Sequence, residues 1–101
     1  MRVLMKIGLA HETFNAAVRD GSAGPKTAAI LDALKPEAVY FTEMNGLRTV
    51  IMIVELNQPS RIPSLAEPWF LTFKADVELH PVMSLQDLQD ADLAGLAQKW
   101  G

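Results

Sequence analysis

Glu78 and His80 stand two positions apart in ADVELHPVMS, residues 75 to 84, where apolar residues alternate with Asp76, Glu78 and His80. In a strand, that spacing puts both side chains on one face. A carboxylate beside an imidazole can form a dyad in which the imidazole takes a proton, and a nearby ammonium, Lys6, would stabilise a developing oxyanion. The same residues have a structural reading as hydrogen-bonded polar groups lining or rimming a dimer interface, because ionisable clusters also serve structure. Both readings need the first and last strands to be neighbours.

Other residues suggest weaker chemistry. His11 and Glu12 together with Glu78 and His80 are suitable metal ligands by type, but no HxH or HExxH spacing is present, so no metal is expected. Haem has no more support, and no cofactor is expected. DGSAGPKT, residues 20 to 27, offers glycines and Lys26 at a helix start yet lacks the phosphate-loop spacing, and it reads as a break in the helix. Trp69, Phe70 and Phe73 recur at helical spacing, which predicts packing against a sheet. If Pro68 opens that helix, the space beneath the rings becomes an apolar ligand pocket, with Glu67 at its edge and Arg61 as a gate. Tyr40 is a further candidate for ligand contact. Glu43 and Arg48 face each other across a hairpin as an ion pair of small energetic value.

Composition narrows the classes. The 101 residues suffice for one domain, 1–101, with one core. The longest apolar run, Val50 to Val54, is far short of a membrane span, and no cleavage site follows the first residues, so a soluble, cytoplasmic protein is expected. With no cysteine, disulfides and thiolate chemistry are excluded. The net charge of −3 arises from 12 acidic and 9 basic residues, the basic ones scattered singly, which argues against a nucleic-acid partner.

The elements follow from periodicity and punctuation. RVLMKIGL reads as a strand with Val3, Met5, Ile7 and Leu9 on one side. Two helical pieces then run from His11 to Leu34, separated by GSAGP, with Pro25 in the first turn of the second. EAVYFTEM and LRTVIMIVEL flank Asn45-Gly46, a two-residue turn that fixes the pairing of Tyr40 with Ile51 and Phe41 with Val50. A helix carrying Ile62, Leu65, Ala66, Trp69, Phe70 and Phe73 follows, kinked at Pro68 or divided there into two pieces. ADVELHPVM is the last strand. Ser84 with Asp87 caps one final helix, about residues 85–100, containing Leu85, Leu88, Leu93, Leu96 and Trp100.

This order is α+β, a ferredoxin-like βαββαβ arrangement with an added C-terminal helix. VIMIV suits a central strand, and Pro81 suits an edge. Helices would cover the face bearing Val3, Met5, Ile7, Val39, Phe41, Val50, Met52, Val77 and Leu79. The opposite face would carry Leu4, Lys6, Tyr40, Thr42, Thr49, Ile51, Ile53, Glu78, His80 and Val82, with Lys6 near His80, or near Glu78 or Val82 after a two-residue slip. That face is too apolar for water and too polar for a dry core, so a second copy is expected to cover it. The final helix with Trp100 would clasp the partner or extend its own core.

The strand order, the Asn-Gly hairpin and PVMSLQDL resemble the dimeric α+β barrel superfamily, and KPEAVYFTEMNGLRTVIMIVEL with AEPWFLTFKADVELHPVM resembles small bacterial proteins of that type. The resemblance spans nearly the whole chain as pattern and includes no relative's catalytic motif. It implies a homodimer paired sheet to sheet. Its relatives range over cofactor-independent monooxygenases, lactone isomerases, haem enzymes and stress-induced proteins. The first expectation is a homodimer that binds a small apolar or aromatic metabolite through Tyr40, Trp69, Phe70 and Phe73. The alternatives are a cofactor-independent monooxygenase or isomerase using His80, Glu78, Lys6 and Tyr40 for proton handling, and a structural dimer module without ligand.

Overall fold

Val3, Met5 and Ile7 alternate with Leu4, Lys6 and Gly8 to form β1 (Arg2–Gly8) in the computed structural model, which describes residues 1–101. The first set is almost completely buried and the second partly exposed. Two helices follow, α1 (His11–Asp20) and α2 (Ala23–Leu34). The break between them is only Gly21 and Ser22, shorter than GSAGP. Gly21 closes α1 at φ 82°, a conformation that costs glycine little. Pro25 sits in the first turn of α2, where the missing N–H has no intrahelical partner to lose.

Strands β2 (Ala38–Met44) and β3 (Leu47–Glu55) meet at Asn45 and Gly46, with φ 55° and 78°. Both positive angles match the tight turn that follows strand twist. The pairing is the one the turn dictates, from Met44 opposite Leu47 to Ala38 opposite Ile53. A short 3-10 turn, Pro59–Arg61, leads into α3 (Ile62–Phe73). Pro68 lies within this helix without dividing it. Ser64, whose carbonyl the missing N–H would have met, is exposed and accessible to water.

With β4 (Asp76–Pro81) added, the molecule is α+β with a four-stranded antiparallel sheet in the order β2-β3-β1-β4, compatible with a ferredoxin-like fold. β1 and β3 are central and Pro81 is on an edge. The core forms between one sheet face and the helices. Val3, Met5, Ile7, Val50, Met52 and Val54 meet Ala17, Ile30, Leu65, Trp69 and Phe73. Phe41, expected in this layer, is 62% exposed because its edge strand extends past the helical cover. No helix is long and apolar enough to cross a membrane.

The C-terminal segment departs most from expectation. It is two helices, α4 (Leu85–Asp90) and α5 (Leu93–Trp100), rather than one. Asp92 separates them at φ 53°, and its carboxylate accepts the Gly95 N–H, so a short acceptor side chain restarts the helix. Ser84 and Asp87 do form the reciprocal cap. Neither helix buries a residue: Leu85 is 72% exposed, Leu93 57% and Trp100 78%. The arm lengthens the molecule to 59 Å, and the radius of gyration of 16.9 Å exceeds the roughly 13 Å of a compact chain this long.

Candidate functional site

The polar cluster is set by the register of β1 against β4. Lys6 lies opposite Glu78, and Leu4 opposite His80, so of the two registers open to the sequence the strands adopt the one that sets Lys6 beside Glu78. Glu78 therefore occupies the middle of the cluster. Its Oε1 is 3.0 Å from His80 Nε2 and its Oε2 is 3.5 Å from Lys6 Nζ. The His80 hydrogen bond, followed by the Lys6 charge, holds the Glu78 carboxyl below its ordinary range. At neutral pH it is an ionised acceptor. With a proton on Nε2 the imidazole presents Nδ1 as a base, and Glu78 orients the ring.

This cluster is wet. Glu78 and His80 side chains are about half exposed and Lys6 is 30% exposed. Lys6 and Glu78, with Gly8, Asp76, Thr49 and the Asn45 turn, line a cavity of about 150 Å³. Tyr40 stands apart, 69% exposed on β2 and opposite Ile51. Three strand spacings put it about 14 Å from the Glu78 row within one chain. The surrounding face holds Leu4, Ile51, Ile53 and Val82 partly exposed, and no helix covers them. Thr49 alone is buried there, its hydroxyl donating to the Leu47 carbonyl at 3.0 Å.

The pocket expected beneath α3 is filled. Trp69 and Phe73 have no exposed surface, and the Phe73 ring lies 6.3 Å from Trp69 and 5.2 Å from Phe14. Their payload is core packing. Phe70 points away from the sheet and is 40% exposed. Pro68 and Arg61 instead line an outer cleft of about 220 Å³ with Ala33, Leu34 and Glu55. His11 and Glu12 are exposed at the start of α1, and no three potential metal ligands converge.

A second correction concerns Arg48. Glu43 turns to accept the Gly46 N–H at 3.1 Å, while Arg48 reaches across to α1. Its Nη1 donates to Asn15 Oδ1 at 2.7 Å, and its guanidinium lies 5.0 Å from the Phe14 ring centroid. Beside it is a groove of about 330 Å³ lined by Leu9, Phe14, Phe41, Thr42, Arg48 and Thr49. The sequence signals each residue separately, but their meeting depends on how α1 docks against the hairpin. No family model matches the chain, and no curated protein shows significant similarity to it.

Proposed function

We infer that the protein works as a homodimer of the dimeric α+β barrel type, formed by pairing the open faces of two sheets, and that it holds a small apolar or aromatic molecule. The observation that carries this reading is the incomplete burial of a single chain. Leu4, Ile51, Ile53 and Val82 lie on an uncovered face, while Leu85, Leu93 and Trp100 of α4 and α5 are more than half exposed. One two-fold operation covers both surfaces with the same two patches. The sheet has a footprint of roughly 19 by 23 Å from its strand spacing and length. That is short of the about 800 Å² per partner typical of stable interfaces, so the arm supplies the remainder.

Native mass spectrometry of protein isolated from its own host tests both parts together. The expected spectrum is a dimer with a retained small molecule. A monomer without ligand at micromolar concentration would contradict the reading.

The Glu78–His80 geometry favours a second reading, a cofactor-independent monooxygenase or isomerase. A carboxylate-oriented imidazole with an ammonium 3.5 Å from the same carboxylate is suited to moving a proton and stabilising an enolate. Turnover should then fall by about a hundredfold or more in His80→Ala. Unchanged turnover in both His80→Ala and Lys6→Met would make the cluster structural.

A further inference from the structure

We propose that the groove between α1 and the β2–β3 hairpin is a binding site for a small aromatic carboxylic acid, with Arg48 as the anion-binding residue. The proposal rests on the small-molecule reading and names the place and chemistry of the ligand. Among the lysines and arginines, only Lys6 and Arg48 are partly buried; the others are exposed. Lys6 has its counter-charge in Glu78, 3.5 Å away. Arg48 has no carboxylate partner. A partly desolvated cation without an anion is costly, and a ligand carboxylate would supply the missing charge.

Arg48 is also held in place. Asn15 Oδ1 takes one donor at 2.7 Å, and the Phe14 ring lies 5.0 Å from the guanidinium. Because a guanidinium is a planar fork, the remaining donors are preoriented for both oxygens of a carboxylate. The rest of the groove favours a ring over a polar chain. Leu9, Phe14 and Phe41 provide apolar walls, and Phe41 is 62% exposed. The volume of about 330 Å³ accommodates one ring with a short acidic side chain. Arg48 and Phe41 lie in the same alternation as Val50, on the helical side of the sheet. Pairing of the opposite faces would leave the groove open.

The test is titration of the full chain with benzoate, 3-phenylpropionate and neutral benzyl alcohol, followed by calorimetry and by amide and arginine side-chain NMR. Saturable binding of an acid is expected, with the Arg48 side chain and the Phe14 and Thr42 amides shifting together. Arg48→Met should weaken it about tenfold or more, as loss of a charge-assisted bond requires. Arg48→Lys should recover part of the loss, Phe41→Ala should weaken binding less, and Lys26→Met, at an exposed position on α2, should leave it unchanged. Acid binding that is equal in Arg48→Met and wild type would overturn the assignment. Binding of benzyl alcohol as tight as that of the acids would overturn the carboxylate inference while sustaining a small-molecule binder. No binding of any probe, with no ligand retained in the host-derived protein, would remove both.

Discussion

Helix α3 and the C-terminal arm are both apolar at helical spacing, yet they have opposite fates. In α3, Leu65, Trp69 and Phe73 are buried against the sheet. In α4 and α5, Leu85, Leu93 and Trp100 remain 57 to 78% exposed. The difference lies in connection and reach. α3 runs between β3 and β4 and returns the chain to the sheet, so its face is drawn over the core. The arm follows the edge strand β4 and is not held between two strands of the sheet. An apolar stripe thus states that a surface needs cover, and topology decides whether the same chain can provide it.

The largest expected effect separates the two regions by their tryptophans. Trp69→Ala should cost about 3–5 kcal/mol of stability in denaturant unfolding, because it opens a cavity in the core. Trp100→Ala should change monomer stability by less than about 0.5 kcal/mol, as for other exposed sites, and act on dimer dissociation instead. Equal losses from the two substitutions would mean that the arm packs on its own body.

On the open sheet face, Ile53→Asp should raise the dimer dissociation constant at least about tenfold, since Ile53 lies opposite Leu4 and Ala38 and the new carboxylate would enter the interface with no cation directly across from it. Concentration-dependent light scattering would read this. A dimer as tight as wild type would move the interface elsewhere. Ser84→Ala should cost about 1 kcal/mol in the stability of the arm, through loss of its reciprocal cap. Hydrogen exchange should show faster opening in α4 alone.

The smallest effect is the pH dependence of the polar cluster. Glu78 has a folded pKa lowered by His80 and Lys6, so its stabilising contribution is present above the unfolded value and is lost as pH falls through the folded one. The urea-midpoint difference between wild type and Glu78→Gln should therefore be present at neutral pH and vanish in acid. A difference that grows on acidification would reverse the assigned sign.

Much of the architecture is legible in local signals. Asn45-Gly46 fixes the hairpin register, and Pro81 marks an edge. The alternation of Val3, Met5 and Ile7 identifies the buried sheet face. The sites are less legible because they depend on contacts between distant elements. A register choice of two residues decides that Glu78, rather than His80, faces Lys6. Helical spacing places Trp69, Phe70 and Phe73 near one another, but cannot tell that Phe70 turns outward or that the other two leave no pocket. Cross-strand opposition pairs Glu43 with Arg48, whereas the available Gly46 N–H and the docked Asn15 and Phe14 draw them apart. Asp92 adopts a left-handed conformation and divides a helix that leucine spacing makes continuous.

The dimer account stands on the joint need of the open sheet and the unpacked arm for a second copy. Sedimentation equilibrium at micromolar concentration, comparing the full chain with one ending at residue 83, puts that need to a single test. The full chain should sediment as a dimer, and the shortened chain, folded by circular dichroism, should dissociate at least about tenfold more readily. A full chain that remains an elongated monomer, with a mass unaltered by concentration, would contradict the account.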